Sequence, residues 1–154
     1  MSFQKSDFPP AGEFVPHEPP MLLVDDVLEF DQSHIKTRTV ISESSPFFQP
    51  GRGMPSYVTF EIMAQSISAY DGAIRRDSGE PPAIGFLLGC RKFQTMCDWL
   101  QAGDSVITEA KPLLAEGEMQ SFDCSVKTDA GLEIALGIIN VYRPEDPIAF
   151  LSQV

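Results

Sequence analysis

From Ser56 to about Ser78, apolar residues fall on nearly every side of a helical wheel and no proline interrupts them. The periodicity predicts one long helix, roughly 33 Å from end to end at about 1.5 Å per residue. Pro55 suits its first helical position, where a missing N–H costs little, and Gly79 with Pro81-Pro82 supplies the stop. An apolar surface that broad does not suit a helix lying on the outside of a protein, so other elements must wrap it.

The remaining pattern supplies the wrapping. Leu22 to Phe30 is an apolar-rich stretch interrupted by Asp25-Asp26, and His34 to Ile41 alternates with Ile35, Thr37, Thr39 and Ile41 on one face. These read as two strands joined by the Asp31-Gln32-Ser33 turn. After the helix come four further strand-like runs: Ala83 to Thr95, Ser105 to Lys111, Ser121 to Lys127 with Phe122, Cys124 and Val126 on one face, and Leu132 to Tyr142 behind the Asp129-Ala130-Gly131 turn. Two strands, one apolar helix and four strands predict an α+β fold in which an antiparallel sheet curls around the helix. Residues 1 to 20 mix Pro, Gly and isolated aromatics with no period, so residues 1–14 are expected to be a flexible leader and residues 15–154 a single domain. Ser44 to Pro55 is too dense in Pro and Gly for regular structure.

At 154 residues the chain is long enough for one core, and 43% hydrophobic with 21% charged residues excludes a disordered or disulfide-stapled class. Twenty-two acidic against 11 basic residues give a net charge of −11, which disfavours nucleic acid and anionic membrane as partners. Cys90, Cys97 and Cys124 match neither zinc-site nor CxxC spacing and read as reduced core thiols. The longest strongly apolar run, Ala83 to Cys90, is too short to span a bilayer, and the first residues lack a signal-peptide core, so a cytoplasmic location is expected. No GxGxxG, P-loop, GxSxG or HExxH motif is present, and Asp25-Asp26 lacks a partnered cluster; neither a cofactor nor a metal is expected.

Glu61 is the anomaly in the helix. It lies between Phe60 and Ile62-Met63-Ala64, where a charge is costly unless paired or functional. Gln65 and Ser68 share its face, so the three form either an exposed seam or the polar stripe of a site. Near the helix start, free N–H groups of Ser56 and Tyr57 would stabilise an oxygen anion. A carboxyl and an oxyanion site within two turns suit thioester chemistry, and desolvation in an apolar tunnel would raise the carboxyl pKa toward a general acid's. Of the two histidines, His34 reads as an exposed strand residue, whereas His17 lies in a rigid proline-bounded segment, placed either to cap a helix or to pack over a groove. Phe47, Phe48, Phe60, Phe86 and Phe93 fit a core or an acyl-chain tunnel equally well.

The run Val15-Pro16-His17-Glu18-Pro19-Pro20-Met21-Leu22-Leu23-Val24-Asp25 resembles the opening of the hot-dog fold 3-hydroxyacyl-ACP dehydratases. Pro46-Phe47-Phe48-Gln49, then Met54-Pro55, then Glu61, Ala64 and Gln65 resemble the family's central block in the same order. Tyr57 beside the helix start and the Ile84 to Gly89 strand resemble most the divergent dehydratase-like proteins of aryl-polyene pathways. The resemblance implies acyl-ACP or acyl thioester substrates, a homodimer or a heterodimer with another hot-dog subunit, Glu61 as catalytic acid, Ser56 near the amide that receives the thioester carbonyl, and Gln65 as the family's glutamine. The family's catalytic His, in a Gly-His-Phe-Pro-Gly segment, is replaced here by Pro50-Gly51-Arg52-Gly53. Three functions are therefore open: a dehydratase whose base lies elsewhere, a thioesterase using Glu61 as base, or a non-catalytic partner of a competent dehydratase. Arg75, Arg76, Arg91 and Lys92 are either a dock for an acidic carrier protein or ordinary helix-end charge.

Overall fold

The computed structural model describes residues 7–80 and 86–143. A short 3-10 turn at Ala11–Glu13 precedes strands Asp26–Asp31 (β1), His34–Val40 (β2) and Met54–Pro55 (β3); a 3-10 turn at Ser56–Val58 leads into the helix Thr59–Asp77 (α1). Then follow Phe86–Thr95 (β4), Trp99–Leu100 (β5), Ser105–Glu116 (β6), Met119–Thr128 (β7) and Glu133–Tyr142 (β8). Six strands form one antiparallel sheet in the order β1-β2-β6-β7-β8-β4, and β3 pairs with β5. Helix α1 lies against β1, β2, β6, β7 and β8, which is the α+β hot-dog arrangement expected. Among the described residues no helix is long and apolar enough to cross a membrane.

Alternation places the core. Phe122, Cys124 and Val126 on β7 and Ile35, Thr37 and Thr39 on β2 all point inward and are buried. Tyr70 of α1 joins the two halves: its ring meets Phe30 and Phe122 edge-on at centroid distances of 5.8 and 5.6 Å, and its hydroxyl donates to the Gln32 carbonyl at 2.7 Å. Thr37 is carried into this core because Ser66 meets it at 2.9 Å.

Some boundaries moved. Pro55 does not open the helix: its ψ of 136° is extended, it pairs with Trp99, and helical structure starts as a 3-10 turn at Ser56. The α-helix proper is 19 residues, about 28 Å at 1.5 Å per residue. Leu22 to Asp25 is not strand, and β6 and β7 are longer than the sequence pattern indicated. The helix stop is a Schellman turn, with Gly79 at φ +74°, its N–H on the Arg76 carbonyl at 3.1 Å and the Glu80 N–H on the Arg75 carbonyl at 2.8 Å. The first six leader residues, Pro81-Pro82 with the start of the following run, and everything after Arg143 lie outside the described residues.

The described part of the leader reaches the core through Ala11 and Phe14, both buried. Its backbone crosses α1 at Gly72, where an added Cβ would stand 1.9 Å from the Phe14 carbonyl oxygen. A mid-helix glycine costs roughly 1 kcal/mol relative to alanine, and close passage of the leader explains its use.

Candidate active site

Residues 15 to 25 form a strap over the first half of α1. Its ends are fixed by buried Val15, Leu23 and Val24, by the Asp25 N–H on the Arg38 carbonyl at 2.8 Å, and by the Ala11 N–H on the Asp25 carbonyl at 3.1 Å. Gln65 clamps the strap to the helix. Its Oε1 accepts the Leu23 N–H at 2.7 Å, and its Nε2 donates to the Met21 carbonyl at 2.9 Å and to Glu61 Oε1 at 3.1 Å. Both amide hydrogens and the oxygen are used, which is why a fully buried glutamine is tolerated there.

The same strap carries His17, whose Nε2 stands 3.7 Å from Glu61 Oε1. That is ion-pair range and too long for a hydrogen bond. His17 Nδ1 is buried and has no hydrogen-bond partner among the described residues. The two side chains are 32% and 34% exposed, so this chain by itself does not build the enclosure expected around Glu61.

Gln65 does not lie on an exposed seam: it is wholly buried, while Glu61 and Ser68 are half-buried. The Ser56 amide, expected to be free, donates to the Asp98 carbonyl at 2.9 Å, because the β3–β5 pairing draws Asp98 up to the helix start. Tyr57 has a 66% exposed side chain, and its amide lies one turn before Glu61 on the same helix face. Of the two expected oxyanion donors, the Ser56 amide is therefore taken by the backbone, and no such bond engages the Tyr57 amide among the described residues.

Beside Glu61, Phe60 meets Phe93 of β4 edge-on at 5.8 Å. An added Cβ on Gly137 of β8 would lie 3.3 Å from the Phe93 ring, 3.2 Å from Cys90 Sγ and 3.5 Å from Met63 Sδ. These contacts make a packed apolar wall between α1, β4 and β8. Burial raises the Cys90, Cys97 and Cys124 thiols, Cys124 furthest, so none is a ready nucleophile.

His34 is not the exposed strand residue expected. Its side chain is 18% exposed, and its ring nitrogens meet Asp31 and Glu29 at 3.2 Å each. Among the described residues no three His, Cys, Asp or Glu side chains gather in a way that could hold a metal ion. Of the four suggested docking cations, Arg75 pairs with Glu80 at 3.1 Å and Arg76 with Glu13 at 3.7 Å, while Arg91 and Lys92 lie exposed on β4. At the far end of α1, Asp71 accepts from Arg143 at 2.7 Å, a pair with no sequence signal; burial pushes the Asp71 carboxyl up to about 6 in spite of the guanidinium.

A family model for ApeP-like proteins, described as ApeP dehydratase, matches residues 9–152. The 3-hydroxyacyl-[acyl-carrier-protein] dehydratase FabZ of Acinetobacter baylyi is 27% identical over 137 residues, covering 86% of this chain and 92% of the relative. FabZ of Thermus thermophilus is 36% identical over 106 residues, 64% of this chain and 70% of the relative. Among solved structures, a chain of the dehydratase heterocomplex ApeI:P from Xenorhabdus doucetiae superimposes with a TM-score of 0.87 at 25% identity, covering 95% of this chain and 97% of that one. A hypothetical thioesterase from Streptococcus pneumoniae, solved with coenzyme A, superimposes with a TM-score of 0.62 at 8% identity over 77% of this chain and 84% of that one, a likeness of fold alone.

Proposed function

The chain belongs to the ApeP-like dehydratase family, and from that premise we propose that it removes water from a 3-hydroxyacyl thioester carried on an acyl carrier protein in the cytoplasm. The observation that carries this reading is the group formed by His17, Glu61 and Gln65. Glu61 is the acid, with Gln65 fixing the direction of its Oε1, and His17 is the base that the shortened Pro50–Gly53 loop lacks. The Tyr57 amide polarises the thioester carbonyl, which acidifies the C2 proton. His17 Nε2 takes that proton, the freed electron pair becomes the C2–C3 double bond, and the C3–O bond breaks. The hydroxyl departs as water with the Glu61 proton. Imidazolium and carboxylate are then left 3.7 Å apart, and return of the proton across that gap restores the pair.

Two observations keep a paired-subunit reading beside this one. The ApeI:P neighbour is a heterocomplex, and among the described residues β4 ends the sheet with an edge of ten residues that no other strand pairs, Leu87 on it 42% exposed. An unpaired edge of that length suits a second hot-dog subunit, either another copy or a different chain, which would also enclose Glu61. In this second reading the partner supplies the base. The thioesterase alternative, with Glu61 activating water, is separated by its product.

Incubation of the purified chain with a 3-hydroxyacyl carrier protein, followed by intact-mass and thiol measurement, tests the reaction. Loss of one water without thiol release is expected, while thiol release with the acyl group lost as its 3-hydroxy acid would overturn dehydration.

A further inference from the structure

The segment that replaces the family's Gly-His-Phe-Pro-Gly loop places a guanidinium beside the single tryptophan. Arg52 lies 5.8 Å from the centroid of the Trp99 ring, and it pairs with no carboxylate among the described residues. Its backbone is fixed on both sides. The Arg52 N–H donates to the Gln49 carbonyl at 3.0 Å, and its carbonyl accepts from Gln101 Nε2 at 3.2 Å. The loop is pressed onto β5 at Gly53, φ +120°, where an added Cβ would stand 2.4 Å from the Leu100 carbonyl oxygen. Arg52 also lines a cavity of about 540 Å³ with Phe48, Gln101 and Glu43. The pairing of Pro55 with Trp99 sets this cavity at the same end of the molecule as the first turn before α1.

We propose that Arg52, stacked on Trp99, binds the phosphate of the phosphopantetheine arm that delivers the acyl thioester to Glu61. The inference rests on the thioester reading above and names the part of the substrate that this loop recognises. A planar guanidinium held against an aromatic face keeps its outward N–H groups for a bidentate contact with a phosphate ester. The surrounding charge argues for such a dedicated contact: Glu43 in the same cavity, Asp98 and Asp104 on the flanking turns, and a net charge of −11 all repel an anion. A cation beside Trp99 on a loop whose backbone is fixed reverses that repulsion locally.

The chain has one tryptophan, 5.8 Å from the Arg52 guanidinium, so its fluorescence reports a ligand held at Arg52. Titrating the full chain with 4′-phosphopantetheine, pantetheine and inorganic phosphate is expected to change Trp99 emission at concentrations about tenfold lower for 4′-phosphopantetheine than for either other probe, in line with one charge-assisted contact. Arg52→Gln, a substitution of an exposed side chain, is expected to erase that advantage without moving Tm. Coenzyme A and a holo carrier protein carry the same phosphate, and the variant should weaken both alike. Equal binding of pantetheine and 4′-phosphopantetheine, an advantage that survives Arg52→Gln, or weakening confined to the carrier protein would each overturn the proposal. Because none of these readouts needs turnover, a failure of the dehydratase reading would be seen separately, in the product assay.

Discussion

Gln65 and Glu61, one turn apart on α1, are joined by a 3.1 Å hydrogen bond whose donor nitrogen also holds the Met21 carbonyl of the strap. One buried amide thus connects the helix that carries Glu61 with the segment that carries His17. If His17 and Glu61 act as a pair, their separation is set by Gln65.

Replacing Gln65 by Leu leaves the Leu23 N–H without its 2.7 Å acceptor and frees the Glu61 carboxylate. An orphaned buried donor costs about 1–3 kcal/mol, so Tm should fall by several degrees. Turnover should drop more than stability explains, with kcat falling and KM little changed. Thermal melts and steady-state kinetics check this; full activity in a folded Gln65→Leu would detach the clamp from the chemistry.

Gly72→Ala places a methyl group 1.9 Å from the Phe14 carbonyl. Helix propensity alone would gain the variant about 1 kcal/mol. The clash is with backbone, so the leader must lift, and a net loss of about 1–3 kcal/mol is expected. Denaturant melts, with hydrogen exchange at Ala11 to Val15, read both effects; a stabilised variant would contradict the packing.

Asp71 gives a pH signature. Its folded pKa, about 6, lies above the ordinary 3.8, so between these values the folded state binds more protons than the unfolded one. Stability contributed by this group is full below about 4 and is lost as pH rises through about 6. Asp71→Asn, which keeps an oxygen for Arg143, should flatten that slope. Urea melts from pH 4 to pH 7 of both proteins measure the difference, and identical slopes would sink the assignment.

The strands and the helix were legible because one face of each is buried: the alternation in Ile35 to Ile41 and Phe122 to Val126 is the imprint of an inward face. Glu61 was legible as a charge within an apolar run. The Ser56 amide was misread because its acceptor, Asp98, arrives through a two-residue bridge with no periodicity of its own. The approach of His17 to Glu61 depends on a strap that follows no regular period, and only its prolines signalled a fixed path. Arg143 on Asp71 and Arg52 on Trp99 are likewise tertiary contacts between segments far apart in sequence.

The central claim is that one chain holds both members of the acid–base pair. Its most direct test is intact-mass analysis of a 3-hydroxyacyl carrier protein incubated with the purified chain alone, in parallel with Glu61→Gln and His17→Asn. The account predicts loss of one water by the unaltered chain, with either variant slowed at least about a hundredfold. Intact substrate with the chain alone, and water loss that appears only with a second hot-dog subunit and is undiminished by His17→Asn, would contradict it.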